Sequence, residues 1–432
     1  MPATIKTLRV EGLFGYLDHE IDFRSEGVTI LTGPNGSGKT HVLKILRALV
    51  GLDLLGLVDY PFSAATLTLS DGNRLAVKRL PDGDLTVSGS GRRRTTHGPV
   101  VLPAAQVADV RDIDTPPWIE RVGADEWFDS QQGEFLTTAA LARRYGSRDV
   151  LPSLVEANPW LTDFSPDVSP TFIETERLDI TPERIVEPRS VAAKRRRRAP
   201  QPAIDRYVEQ IRGQIAGARR RSLSVSQSAD RQFAARALDK ARATVRESDL
   251  RARYSSIAAL HRELHANGLT EQTIDVEFPE GRTTPTERRI LNVFLDDWEA
   301  KLDPLQPVHR KLQTLRGIVD LKMPDKDMHF TQEGDVVFES PGSEHLPVNQ
   351  LSSGEQHMLA LFTMLLFTAE RGAVVLIDEP EISLHAAWKH EFLSDIEKVT
   401  SLIPVTVVMA THSSALINSR WDLVEELALQ AR

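Results

Sequence analysis

The sequence predicts an α/β fold in which a mixed or parallel sheet with flanking helices is joined to an antiparallel β meander and interrupted by a helical insertion. Three observations predict it. A short apolar strand, Val28 to Leu31, runs through a glycine-rich loop into a helix, His41 to Leu49, the strand–loop–helix unit of α/β sheets. Two fully apolar runs, Ala373 to Ile377 and Val405 to Ala410, have the texture of parallel strands covered on both faces. The Arg- and Ala-rich stretch between these two ends carries its apolar residues at helical spacing.

In chain order, Thr4 to Val10 and Leu17 to Phe23 read as strands ahead of Val28 to Leu31. Ala65 to Leu69, Leu75 to Arg79 and Leu85 to Ser88 follow, separated by Asp71-Gly72-Asn73 and Pro81-Asp82-Gly83-Asp84. Those separators are turn sequences, so the three strands form the meander. Thr115 to Pro170 is rich in Pro and Trp with weak periodicity and is assigned no element, and Pro170 to Ile173 reads as another core strand.

Beyond Thr181 the texture becomes helical. Ala229 to His265 reads as one long helix, and Ile290, Val293, Phe294, Trp298 and Leu302 mark an amphipathic helix with Pro285 near its start. Leu312, Leu315 and Val319 continue the pattern, and strand texture returns at Met328 to Thr331 and Asp335 to Glu339 around a Glu333-Gly334 turn. The expected division is residues 1–180, a basic helical insertion at 181–324, and residues 325–432.

The whole chain of 432 residues carries a net charge of -9, yet from Arg184 to Arg253 there are 19 Lys and Arg against 7 Asp and Glu, a surplus of 12 positive charges. Lys194 to Arg198 is the densest run. Such segregation presents a basic surface to nucleic acid, an acidic partner or a neighbouring subunit, or else forms a solvated helical face. The absence of cysteine excludes disulfide frameworks, Cys-ligated zinc and iron–sulfur clusters and fits a reducing cytosol. Met1-Pro2-Ala3-Thr4 lacks signal-peptide architecture, and the longest apolar stretch, Met358 to Phe367, is well short of the ~20 residues that span a bilayer. The expectation is a cytoplasmic protein with no membrane partner.

Gly33-Pro34-Asn35-Gly36-Ser37-Gly38-Lys39-Thr40 fits G-x-x-x-x-G-K-[ST] residue for residue, between a strand and a helix. The glycines let backbone N–H groups close around phosphates, Lys39 adds a point charge for the β/γ oxygens, and Thr40 offers a hydroxyl to Mg²⁺. The pattern therefore predicts a bound nucleoside triphosphate. Ala373 to Ile377 ends in Asp378-Glu379-Pro380, which has the form of a Walker B motif: Asp378 for the Mg²⁺ shell and Glu379 for the attacking water. Leu351-Ser352-Ser353-Gly354-Glu355 opens an apolar helix, Gln356 to Phe367. By itself that is an ordinary helix cap; beside a phosphate loop it is a second phosphate-reading site. His412, in Ala410-Thr411-His412-Ser413, stands at a strand's carboxyl end, where ligands of α/β sheets collect.

The order of these motifs resembles the ABC-type ATPases, and within them the RecF-, Rad50- and OLD-like branch of AAA-family ATPases, many of which act in bacterial anti-phage defence. The likeness covers about residues 1–180 and 325–432. Ser353 and Glu355 stand where transporters usually carry Gly and Gln, and Asp378-Glu379-Pro380-Glu381-Ile382-Ser383-Leu384-His385 is similar to that branch's joined Walker B and D-loop. Gly12-Leu13-Phe14-Gly15-Tyr16 resembles the segment that approaches adenine. The resemblance implies an ABC ATPase head with ATP and Mg²⁺ as cofactors. It also implies a head-to-tail homodimer, or a higher homo-oligomer, in which Ser352, Ser353, Gly354 and Glu355 of one subunit act in trans on the other's nucleotide. His412 would then contact the γ-phosphate.

Two departures qualify this. OLD nucleases continue past the last histidine into a nuclease domain, whereas twenty residues follow His412 here, so the expected effector is a separately encoded protein, a nuclease by analogy with those systems. Phe172-Ile173-Glu174-Thr175-Glu176-Arg177 resembles the branch's Q-loop segment but has no glutamine, and Gln106, after the strand Val100 to Leu102, is the other candidate. The expected role is sensor or scaffold subunit of an anti-phage system, with a DNA-repair ATPase that clamps DNA as the alternative.

Overall fold

The computed structural model describes residues 3–24, 27–54, 56–91, 95–102, 119–121, 126–129, 134–137, 158–164, 170–174, 203–239, 245–271, 278, 281–382 and 384–429. The elements run β1 (Ile5–Leu13), β2 (Leu17–Asp22), β3 (Gly27–Thr32), α1 (Lys39–Val50), β4 (Ala64–Leu69), β5 (Arg74–Arg79), β6 (Leu85–Ser90), β7 (Thr96–Leu102), β8 (Ile119–Arg121), β9 (Glu126–Asp129), β10 (Glu134–Thr137) and β11 (Thr171–Glu174). Helices α2 (Ala203–Asp239), α3 (Glu247–Ala266), α4 (Pro285–Leu302) and α5 (Gln306–Lys322) follow, then β12 (Asp327–Phe330), β13 (Val336–Ser340), β14 (Ser343–Pro347) and α6 (Ser353–Thr363). The chain continues through β15 (Val374–Asp378), α7 (Lys389–Leu402), β16 (Thr406–Ala410), α8 (Ser414–Ile417) and β17 (Val424–Glu426).

Two compact units emerge: Met1–Asp179 with Ala369–Arg432, and Ile180–Thr368. The sequence reading puts its second division at 325 instead; Asp325 to Thr368 cluster with the helices, where β12 and α6 make contacts with them.

The first unit is an α/β head. Its five-stranded sheet has the order β11-β15-β16-β3-β17 and is parallel throughout. Every residue of β16, and Val374 to Ile377 of β15, is buried, as strands covered on both faces require. The second sheet, β2-β1-β4-β5-β6-β7, is the antiparallel meander. One core cluster joins them: Leu8 and Val10 of β1, Leu43, Leu46 and Leu49 of α1, and Leu376 and Val408 of the parallel sheet. Burying each such side chain contributes about 1.5–3 kcal/mol, so α1, which begins inside the phosphate loop, is clamped by its apolar face. The parallel register aligns the carboxyl ends: Glu174 pairs with Asp378, Asp378 with Ala410 and Ala410 with Leu31. A short sheet, β10-β9-β8, completes the described strands of this unit.

The second unit holds α2 to α6 and the sheet β12-β13-β14. The expected long helix from Ala229 to His265 is two helices. Arg246 is extended, with ψ 141, and Glu247 in the first turn of α3 accepts hydrogen bonds from the Thr283 N–H and hydroxyl at 3.1 and 2.9 Å. The acidic cluster Glu247-Ser248-Asp249 was the start signal. Helix α4 begins as expected, with a capping box between Thr284 and Glu287 and Pro285 at its first position. No described helix is long and apolar enough to cross a membrane.

Candidate nucleotide-binding site

The phosphate loop lies between β3 and α1, and three backbone positions require glycine. Gly33, Gly36 and Gly38 have φ of 153, 85 and 88, a region that side chains disfavour. A Cβ on Gly33 would lie 2.5 Å from Leu427 O and 2.8 Å from Ser37 Oγ, and one on Gly38 would lie 2.4 Å from Leu13 Cδ2. At Gly36 the space is open, on the exposed crest Pro34 to Gly36. The loop is braced from below by His19 of β2, whose Nε2 lies 2.8 Å from Ser37 O. Burial lowers the His19 pKa, which favours the neutral ring donating from Nε2. Ser37 Oγ is buried and finds no hydrogen-bond partner among the described residues.

Lys39 is 6% exposed and its Nζ donates to Gly33 O at 3.0 Å. The same Nζ stands 3.9 Å from Glu379 Oε1. Glu379 Oε2 in turn lies 2.7 Å from His412 Nδ1. The structure thus brings Lys39, Glu379 and His412 together at the carboxyl ends of β3, β15 and β16. Glu379 has φ 47, rare for a side chain of its size, and its N–H donates to Ala410 O at 2.9 Å. Holding a non-glycine residue there costs about 1–3 kcal/mol; it turns the carboxylate off the strand end toward Lys39 and His412.

Burial first, and then the neighbouring Glu381, push the Glu379 carboxyl up to about 7 against the opposing pull of His412 and Lys39. A carboxylate poised near neutrality suits proton transfer to or from water. Glu381, unremarked by the sequence reading beyond its motif, is buried beneath this pair and joins it in a donor set whose atoms lie within 4.8 Å of one another.

The phosphate and metal sites fit their groups on observed chemistry. Ser37 Oγ and the glycine cradle offer polar contacts where a Cβ would intrude, and Thr40 and Asp378 supply the hard oxygen donors that Mg²⁺ prefers. Thr40 follows Lys39 in the first turn of α1, and Asp378 ends β15.

The signature residues lie in the other unit. Ser352 and Ser353 are exposed at the start of α6, beside the half-buried Gly354. Glu355 Oε2 accepts from the Ser352 N–H and hydroxyl, each at 2.8 Å, and its Oε1 pairs with Lys326 Nζ. Burial pushes the Glu355 carboxyl up, but Lys326 and the Ser352 donors outweigh that and hold it below its ordinary value. Gln356 donates to Leu351 O at 2.7 Å, pinning the loop's other side. Lys326 was not singled out in the sequence, since nothing local ties it to residue 355. Of the Q-loop candidates, Glu174 ends β11 beside Asp378, while its side chain, Gln106 and 175–177 lie outside the described residues, as does the basic run 194–198.

A phosphate loop between a parallel strand and its helix, faced by a strand-end carboxylate pair and a strand-end histidine, is the arrangement of an ABC-type ATPase head. Residues 208–418 match the family model "AAA domain, putative AbiEii toxin, Type IV TA system", and residues 7–54 match a second, "AAA domain". The two segments contain every phosphate-loop, Walker B, signature and histidine residue discussed above. No curated protein matches the chain. Solved structures similar to it include the Smc head domain of Pyrococcus furiosus with an extended coiled coil, bound to the C-terminal domain of ScpA, at 13% identity, with 96% of this chain and 91% of that one covered and a TM-score of 0.39. The SMC head domain of Thermotoga maritima aligns at 10% identity over 98% and 94% of the two chains, with a TM-score of 0.34. At such scores the architecture rests on this chain's own sheet order and motif placement.

Proposed function

We propose that this chain binds and hydrolyses ATP, that two copies close head to tail over two nucleotides, and that this switch is the sensor or scaffold of an anti-phage system with a separately encoded effector, a nuclease in our reading. The observation that carries the hydrolytic part is the cluster of Lys39, Glu379 and His412, with Glu379 3.9 Å from the lysine and 2.7 Å from the histidine. Lys39 and the loop N–H groups bind the phosphates, Glu379 orients water and accepts its proton, and His412 contacts the terminal phosphate. Thr40 and Asp378 would hold Mg²⁺, which would supply neutralisation of charge on the phosphate oxygens.

Ser352, Ser353 and Gly354 present the start of α6 to the nucleotide of the other copy, and hydrolysis then releases the pair. The defence setting draws its support from the AbiEii wording of the model matched by residues 208–418 and is an argument by family analogy.

Phosphate release and nucleotide binding test the chemistry: Glu379→Gln should retain ATP while losing at least about 100-fold in turnover, and normal turnover would remove Glu379 from this role. Purification with the products of adjacent genes tests the setting. Co-purification of an effector whose activity follows the ATP state is the expected result. Tight, salt-sensitive duplex binding by the chain alone, with no such partner, would favour the DNA-clamping alternative.

A further inference from the structure

Beyond raising the proton affinity of Glu379, Glu381 is a carboxylate buried to 5% exposure on the turn Pro380–Ile382 that follows β15. Its Oε1 accepts from Thr411 Oγ1 at 2.5 Å and from the main-chain N–H of His412 at 3.1 Å. Thr411 is fully buried; its Oγ1 also accepts from the Ser413 N–H at 3.0 Å, and its own N–H donates to Leu31 O at 3.0 Å. A single carboxylate oxygen therefore ties the turn after β15 to the first two residues after β16, and Thr411 carries the tie onward to the end of β3. The His412 side chain is 55% exposed, and its Nδ1 stands 2.7 Å from Glu379 Oε2 and 3.5 Å from the same Glu381 Oε1. A buried polar group is costly unless hydrogen-bonded, so a carboxyl group in this place calls for an explanation beyond packing.

We propose that Glu381 is a positioning residue: by gripping the Thr411 hydroxyl and the His412 N–H it fixes the backbone that presents the His412 imidazole to Glu379. It touches neither phosphate nor attacking water. Apolar packing alone would hold the turns together equally well but would not set the direction of the His412 N–Cα bond, which two convergent hydrogen bonds do.

The inference rests on the assignment of Glu379 and His412 to ATP hydrolysis, and the test separates the two. Steady-state ATPase, nucleotide affinity from titration with a fluorescent ATP analogue, and melting temperature are measured for Glu381→Ala, Glu381→Gln, His412→Ala, the double variant Glu381→Ala/His412→Ala, and Glu379→Gln. Glu381→Ala should lose about 10- to 100-fold in kcat with nucleotide affinity and KM nearly unchanged. Glu381→Gln, which keeps an acceptor oxygen, should recover most of the loss. On a His412→Ala background, Glu381→Ala should cost less than about threefold more, because two residues acting through one device are not additive.

Wild-type kcat in Glu381→Ala overturns the proposal, as does a full further loss on the His412→Ala background or a fall in nucleotide affinity in step with kcat. If Glu381→Ala does not fold, Thr411→Val removes one of the two donors and should lower kcat in the same direction; wild-type kcat there is equally fatal. Unchanged turnover in Glu379→Gln or His412→Ala defeats the reading of the site itself, whereas dead variants at those positions beside an active Glu381→Ala defeat only the role of Glu381.

Discussion

At the start of α1, Gly38 stands at φ 88 with no side-chain cap and no acidic residue in the first turn, while at the start of α6 the N–H and hydroxyl of Ser352 are both bonded to Glu355. Each helix directs a positive end and unpaired N–H groups outward. The first leaves them to an anion from outside and adds Lys39. The second brings its own carboxylate and restrains it with Lys326. On the proposed function the labour divides: α1 would bind phosphate by itself, whereas α6 would contribute where the rest of a nucleotide site is supplied by another surface. A carboxylate also sits beside each loop with opposite displacement, Glu379 raised to about 7 and Glu355 lowered.

Removing the outside anion's charge partner is the strongest way to break this contrast. Lys39→Ala should weaken nucleotide binding by about 10- to 100-fold, the range expected for a lost charge-assisted hydrogen bond. Equal affinity in titrations of wild type and variant would refute the phosphate-loop assignment.

Complementation comes next. Ser353→Arg should leave nucleotide binding at α1 intact and abolish cooperative turnover, and mixing it with Lys39→Ala should restore a measurable fraction of ATPase. One heterodimer then holds one intact pair of loops. No recovery in any mixture of folded, exchanging subunits would rule out the trans arrangement.

A smaller effect is expected at the restraint itself. Lys326→Ala frees Glu355 from one partner but leaves the Ser352 cap, so kcat should fall by about two- to fivefold with nucleotide affinity at α1 unchanged, in keeping with a helix-cap contribution of about 1 kcal/mol or less. A loss of nucleotide affinity in a binding titration would show that the two loops are not independent.

The smallest effect is on stability. Glu379 titrates near 7 in the folded protein against an ordinary 4.5, so the fold holds its proton more tightly and this group's contribution to stability falls as pH rises from 4.5 to 7. Glu355, with its pKa lowered, has the opposite sign: its contribution is present above its ordinary pKa and is lost as pH falls through the folded value. Glu379→Gln should therefore melt higher relative to wild type at pH 8 than at pH 5.5, by a few degrees. A difference independent of pH would contradict the raised pKa.

Much of this was legible in the sequence because it is local. Eight consecutive residues specify the phosphate loop, an apolar run ending in Asp378-Glu379 specifies the Walker B strand, and period-2 alternation with turn residues gives the meander. What escaped was non-local. Glu381 and Thr411 meet across 30 residues, and Lys326 reaches Glu355 across 29. Strand β14, Ser343-Glu344-His345-Leu346-Pro347, carries too few apolar residues for an alternation to register, and β17 has only three residues. The break between α2 and α3 was missed because helical propensity runs on through residues 229–265, while a tertiary partner, Thr283, fixes Glu247 at the new helix start.

Strand β3 owes both of its neighbours to the far end of the polypeptide. It pairs with β16 on one side and β17 on the other, and Leu427 N–H donates to Thr32 O at 2.8 Å, at the root of the phosphate loop. A ribosome that has released everything through Leu402 has delivered the glycine loop and α1 but neither flanking strand. Contacts of such sequence separation form late, so the emerging chain has no finished cradle to load in a cell rich in ATP. On the proposed function, nucleotide capture would wait until β16 and β17 have emerged, and the apolar strand β3 lacks both of its sheet neighbours in the meantime.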